Sequence, residues 1–145
     1  MKLKAFVVDA SIAAKWYLPE AHGAAAQRLL DPSRRLLAPD LLFPEVGNVL
    51  WKRVLKGEVG ERKAVEILSA LEAVPLQIWE SRSLMPVALE IGCRSRSTIY
   101  DSLYVALAMV ARCPLVTADR RLYDTHSEGR QGPHVLWVED IPRAS

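Results

Sequence analysis

At 145 residues the chain is the usual size for one domain built around one core. Hydrophobic residues make up 50% and charged residues 25%, and no repeat or low-complexity tract is visible, which excludes a disordered chain. The formal net charge of +2 is too small to argue for a nucleic-acid partner, so where the charges stand matters more than their sum.

The first apolar run, residues 5–8, is interrupted by Asp9 and is too short for the core of an export signal. Nothing elsewhere approaches the roughly 20 apolar residues that span a bilayer. Cys93 and Cys113, without CxxC spacing, are expected to be buried thiols rather than a disulfide or metal ligands. A cytoplasmic protein with no membrane partner is the expectation by elimination.

In chain order, residues 5–8 read as a buried strand ending at Asp9. Residues 11–17 have helical character, and the Ala- and Leu-rich stretch 20–30 reads as a second helix, ended by Asp31-Pro32-Ser33. Residues 36–38 are a short strand before Pro39. Over 41–55, Leu42, Val46, Val49, Leu50 and Val54 recur at helical spacing, and Gly57 and Gly60 bracket the next turn. Residues 61–73 form an amphipathic helix with Ala64, Ile67, Leu68 and Leu71 on one face, and 76–79 read as a strand. A helix over 84–91 stops near Gly92, and the helix over 98–111 stops at Pro114. A strand at 115–117, a short helix at 120–125, a Gly-rich turn at 128–133 and a strand at 135–138 complete the chain. Short buried strands alternating with helices predict a three-layer α/β/α fold around a mostly parallel sheet, in one domain spanning residues 1–145.

In open α/β sheets, sites form beyond the carboxyl ends of the strands. Asp9 follows the first strand directly and Asp119 lies two residues past Thr117, so both face one crevice if their strands are neighbours. Asp101 in the first turn of its helix and Glu45 early in another are placed to reach the same crevice. Converging carboxylates raise one another's pKa, and a hard divalent cation, Mg²⁺ or Mn²⁺, resolves that conflict. Such an ion activates water and stabilises an in-line phosphoryl displacement. The absence of nearby Cys or His argues against zinc, and none of His22, His126 and His134 is an evident general base.

Each acid also has a plain structural role open to it. Asp9 and Asp119 can cap the helices that follow them, Asp101 can join Thr98 in a capping box, and Glu45 is a first-turn acid favoured by the helix dipole. Four independent caps, however, have no reason to share a crevice. Basic residues cluster at Arg34-Arg35, Lys52-Arg53-Lys56, Arg94-Ser95-Arg96 and Arg120-Arg121, and Lys52 and Lys56 read as a solvated face.

Four segments in order and in register carry a resemblance: Val7-Val8-Asp9-Ala10-Ser11, Pro44-Glu45-Val46-Gly47-Asn48-Val49-Leu50, Thr98-Ile99-Tyr100-Asp101-Ser102-Leu103-Tyr104-Val105-Ala106-Leu107-Ala108, and Leu115-Val116-Thr117-Ala118-Asp119-Arg120-Arg121-Leu122. With them the chain resembles the PIN-domain family, and within it the VapC-type toxins of bacterial toxin–antitoxin pairs. The resemblance implies a parallel sheet flanked by helices and Mg²⁺- or Mn²⁺-dependent endonucleolytic cleavage of RNA. It implies Asp9 and Asp101 as principal metal ligands, Asp119 completing the site directly or through water, and Glu45 holding a second ion or a water. Ser11, Asn48 and Thr117 match the family's polar supporting positions. One departure is Ser102, where Ala is more usual.

The resemblance further implies a homodimer inhibited by a small antitoxin, whose apolar helix lies in a groove and whose basic side chain enters the acidic site. Trp16, Trp51, Leu55 and Leu68 are candidates to line that groove, or else core and rim residues at helical spacing. Arg94, Arg96, Arg120 and Arg121 are candidates to hold RNA phosphates, or else solvated surface.

A phosphorylation-dependent receiver domain would carry paired acids after the first strand and a late lysine, but one acid follows residues 5–8 and no lysine follows Lys63. A haloacid-dehalogenase-like phosphatase would carry Asp-x-Asp where this chain has Asp9-Ala10-Ser11. An RNA-processing nuclease of the same fold without a toxin role, and a non-catalytic RNA- or protein-binding module, stay open.

Overall fold

The computed structural model describes residues 4–128 and 133–143, so the turn expected at 128–133 lies almost wholly outside the described residues. Strands β1 (Lys4–Val8), β2 (Arg34–Pro39), β3 (Leu76–Trp79), β4 (Leu115–Thr117) and β5 (Val135–Trp137) form one sheet in the order β3-β2-β1-β4-β5. Every pairing is parallel. Parallel strands need long crossovers, and helices α1 (Ala10–Lys15), α2 (Gly23–Gln27), α3 (Leu42–Leu55), α4 (Glu61–Glu72), α5 (Ser81–Ser95), α6 (Ile99–Ala111) and α7 (Arg120–His126) supply them. Helices covering both sheet faces explain why Phe6-Val7-Val8, Leu36-Leu37-Ala38 and Leu115-Val116-Thr117 are buried without alternation.

The strand order positions the site. The chain steps outward from β1 to β2 to β3, then returns to the other side of β1 as β4, with Val7 beside Leu115 and Val8 beside Val116. The direction of winding reverses between β1 and β4, and in open α/β sheets such a reversal point is where sites form, beyond the strands' carboxyl ends. The neighbour relation that the Asp9–Asp119 reading required is therefore met.

Helix α6 shows why pattern alone reads it well. Every residue from Ser102 to Ala108 is buried, so the helix is apolar nearly all round and lies inside the molecule, packed on α5 and on β1, β2 and β4. The α5–α6 approach is close: a Cβ on Gly92 would stand 3.0 Å from the Ser97 carbonyl oxygen and 3.4 Å from Ser102 Oγ. Ser102 Oγ is buried without a hydrogen-bond partner among the described residues.

Four expectations change. The helix read over 20–30 contracts to α2, because His22 takes a left-handed conformation (φ 67°) before Gly23 and the chain tightens into a 3₁₀ turn at Arg28–Leu30. Helix α5 begins three residues earlier than the pattern suggested. Asp40, forty-one residues upstream, accepts the Ser81 backbone N–H at 3.1 Å and caps it from another crossover. Gly92 does not end α5; the helix runs on to Ser95 and closes at Arg96 in the left-handed region (φ 55°). Cys113 is buried as expected, but Cys93 is exposed, and both are free thiols. Among the described residues no helix is long and apolar enough to cross a membrane.

Candidate active site at the ends of β1 and β4

Asp9 leaves β1 in extended conformation and caps α1, its Oδ1 accepting the Ile12 N–H at 3.1 Å and the Ser11 hydroxyl at 2.6 Å. Thr117, the last residue of β4, donates its hydroxyl to Asp9 Oδ2 across the strand pair. The same two hydroxyls accept from the chain beyond β4: Ala118 N–H reaches Ser11 Oγ at 2.9 Å and Asp119 N–H reaches Thr117 Oγ1 at 3.0 Å. Ser11 and Thr117 thus lock the β1 end to the β4 end around one buried carboxylate.

Asp119 caps α7 by accepting the N–H groups of Arg121 at 2.9 Å and Leu122 at 3.2 Å. Asp101 stands in the first turn of α6, its own N–H capped by Thr98 Oγ1 at 3.1 Å. Glu45 lies in the first turn of α3 and accepts the Tyr104 hydroxyl at 2.5 Å. The capping roles expected for Asp9 and Asp119 are real, and Thr98 caps α6 at Asp101. Asp9 and Asp119 cap from the neighbouring ends of β1 and β4, so these roles do not draw the two acids apart. Asn48 is exposed one turn along α3 from Glu45, with no side-chain hydrogen bond among the described residues.

Burial dominates the electrostatics of the acids, and the charge of Asp119 links them. Burial lifts the Asp9 carboxyl to about 6, opposed by its bonds from Ser11, Thr117 and Ile12 and reinforced by the charge of Asp119. Burial raises Glu45, with the Tyr104 hydrogen bond lowering it and the charges of Asp101 and Asp119 adding to the rise. Burial likewise raises Asp101; Arg121, 3.2 Å from its Oδ2, pulls the other way and Asp119 pushes it up. Burial and then the charge of Glu45 hold the Tyr104 phenol far above its ordinary range, so it stays a hydrogen-bond donor.

A hard divalent cation suits such carboxylate and hydroxyl oxygens. Among the described residues, however, no three His, Cys, Asp or Glu side chains stand close enough to ligate one ion together as they are placed. The Asp101 carboxylate is engaged by Arg121 instead.

Tyr104 is the residue that the sequence reading passed over. Its signal is a polar tip three residues after Asp101, on the same face of an otherwise apolar helix. His126, considered from sequence and not an evident general base, is buried, its pKa lowered by burial, and its Nε2 lies 2.7 Å from Ser97 Oγ in the turn that leads into α6.

The basic candidates divide. Arg121 and Arg96 border a small cleft that also contains Asp101 and His126. Arg120 lies against Trp137 and Tyr123. Arg94 makes an exposed ion pair with Glu90 one turn earlier in α5, a contact worth little. Of the groove candidates, Trp16 is buried and donates its indole N–H to the Ala26 carbonyl at 2.9 Å, so it belongs to the core; Trp51 and Leu55 are 57% and 66% exposed.

Comparison with known proteins agrees with this fold. The chain is 34% identical over 118 residues to the protein named Ribonuclease VapC3 of Pyrobaculum aerophilum, covering 80% of this chain and 90% of that one. Its fold is similar to the crystal structure of PAE2754 from Pyrobaculum aerophilum, with a TM-score of 0.73, 24% identity, and 97% of this chain and 95% of that one covered. It is also similar in fold to a chain of a toxin-antitoxin complex from Klebsiella pneumoniae, with a TM-score of 0.62, 15% identity, and 93% and 98% of the two chains covered. The description "PIN domain" fits residues 6–127. The chain belongs to the PIN-domain family.

Proposed function

We propose that the chain is an Mg²⁺- or Mn²⁺-dependent endoribonuclease and the toxin of a type II toxin–antitoxin pair. The observation that carries the reading is that Asp9, Glu45 and Asp101 are each raised first by burial and further by the charge of Asp119, with Asp101 also raising Glu45, at the reversal point between β1 and β4. Acids that raise one another in a crevice are in conflict unless a cation joins them. The similarity to a ribonuclease VapC supports RNA as substrate.

In this reading Asp9 and Asp101 are the principal ligands, Asp119 ligates directly or through water, and Glu45 holds a second ion or orients a water. The ion, when bound, supplies an activated water and charge stabilisation for phosphodiester cleavage. Ser11 and Thr117 keep the Asp9 carboxylate oriented, and Tyr104 does the same for Glu45. Asp101 would hold the ion in place of its contact with Arg121, and that guanidinium would then be available to an RNA phosphate, with Arg96 beside it. Arg94 and Arg120 extend the basic surface.

The similarity to a chain of a toxin-antitoxin complex supports a protein inhibitor, with Trp51, Leu55 and Leu68 as the apolar surface that an antitoxin helix covers. The chain acts as a homodimer in the cytoplasm. Purified chain free of antitoxin should cleave a broad RNA pool with Mg²⁺ or Mn²⁺ and stop in chelator, and Asp101→Asn should abolish cleavage while leaving the circular dichroism spectrum unchanged. An intact RNA pool with either ion sinks the nuclease reading. Cleavage without growth arrest on expression, or arrest that no small neighbouring reading frame relieves, removes the toxin role.

A further inference from the structure

Beside the acids lies an assembly of rings and a guanidinium that metal-assisted cleavage does not use. Thr117 and Trp137 are register partners, so Trp137 stands at the sheet edge where β1 and β4 present Asp9 and Asp119. Arg120 follows Asp119 directly, and its guanidinium carbon lies 4.0 Å from the Trp137 ring centroid and 5.5 Å from that of Tyr123. Tyr123 meets Trp137 edge-on at 5.8 Å. His22 does the same at 5.6 Å, its Nδ1 held 2.7 Å from Glu139. Trp137 and Tyr123 are only half-buried, and Arg120 is exposed.

A guanidinium spread over an indole offers a flat, cationic outer face. Unpaired nucleobases stack on aromatic rings and on guanidinium planes, and the positive charge also draws the adjoining phosphate. We propose that Arg120, Trp137 and Tyr123 form a platform that stacks one unpaired base of an RNA strand next to the phosphate held at the acids. Trp137 supports the guanidinium from below, and the edge contacts from Tyr123 and His22 fix the tilt of the indole. A base inside a duplex has both faces covered, so the platform selects single-stranded RNA; every base has a π-face, so it positions the strand without reading its sequence. The proposal rests on the ribonuclease reading and names how that site takes its substrate.

The test is binding of fluorescently labelled single-stranded RNA to the full chain in chelator, against a strand of the same length in which every nucleotide is an abasic spacer. The abasic strand should bind about tenfold more weakly. Trp137→Phe should retain that difference, whereas Trp137→Leu and Arg120→Ala should bind both strands at the weakened level. Arg120 is exposed, so Arg120→Ala keeps the comparison available if Trp137→Leu fails to fold. Absence of binding, equal binding of the two strands, or Arg120→Lys matching the parent overturns the platform. Cleavage with Mn²⁺ is measured separately: base-dependent binding without cleavage removes the nuclease reading and keeps the platform, and cleavage with base-independent binding does the reverse.

Discussion

Thr117 donates its hydroxyl to the Asp9 carboxylate and at the same time accepts the Asp119 backbone N–H, so one side chain at the end of β4 serves two of the acids. Thr117→Val keeps the shape and removes both bonds, leaving a buried carboxylate short of a partner. It should lower stability by about 1–3 kcal/mol, the usual cost of an orphaned buried polar group, and depress cleavage. Thr117→Ser should recover most of both. Urea titration together with initial cleavage rates checks the pair; a Thr117→Val protein as stable and active as its parent contradicts the coupling.

The carboxyl of Asp9 titrates at about 6 in the fold against an ordinary 3.8. The folded state therefore holds its proton more tightly, and the contribution to stability is present below pH about 4 and lost as pH rises through about 6. The metal-free protein should carry a penalty near neutral pH of at most about 3 kcal/mol, from about 1.4 kcal/mol for each unit of the difference. Asp9→Asn should raise the Tm of metal-free protein at pH 7.5, with the gain vanishing near pH 4. Lost hydrogen bonds from Ser11 and Thr117 reduce its size. An advantage for Asn that grows on acidification contradicts the sign.

Tyr104 reaches from α6 to donate its hydroxyl to Glu45 at 2.5 Å. Tyr104→Phe keeps the buried ring, so the cost in stability should be no more than about 1.5 kcal/mol. Because that bond lowers the Glu45 pKa, its loss should push Glu45 higher and move the acid limb of the cleavage profile to higher pH. A pH–rate profile that falls uniformly, without displacement, points instead to a purely structural effect.

The guanidinium of Arg121 lies on Asp101, where a cation is proposed to bind. Arg121→Ala should tighten Mn²⁺ binding at pH 8 by several-fold, read by calorimetry, because a competing charge is gone. RNA binding should weaken in the same variant if the guanidinium moves to a phosphate. Two readouts of opposite sign separate this exchange from general damage to the site.

Ser102 has a buried hydroxyl with no partner among the described residues, facing Gly92 across the α5–α6 contact. Ser102→Ala should be neutral or stabilising by up to about 1 kcal/mol, since it removes an unsatisfied group and opens almost no space. A loss of stability beyond that would mean the hydroxyl does find a partner.

Much of this protein is legible in sequence. Short β-branched and Leu-rich runs ended by Asp9 and Thr117 fixed strands whose side chains must be buried on both faces, and the unbroken apolar stretch from Leu103 to Ala108 fixed a buried helix. The acids themselves were visible because they interrupt or cap those elements. What needed tertiary structure was every property that depends on residues distant in the chain. The β1–β4 pairing brings Asp9 to Thr117 across 108 positions, and the Tyr104 bond reaches Glu45 across 59, distances that no local window spans. The start of α5 depended on Asp40 from another crossover, and Trp16, readable as a groove residue, became core through its bond to Ala26. Local periodicity records which face a residue prefers to bury. The partner it meets there is set by strand order, through long-range pairings between chain segments that no helical or strand repeat encodes.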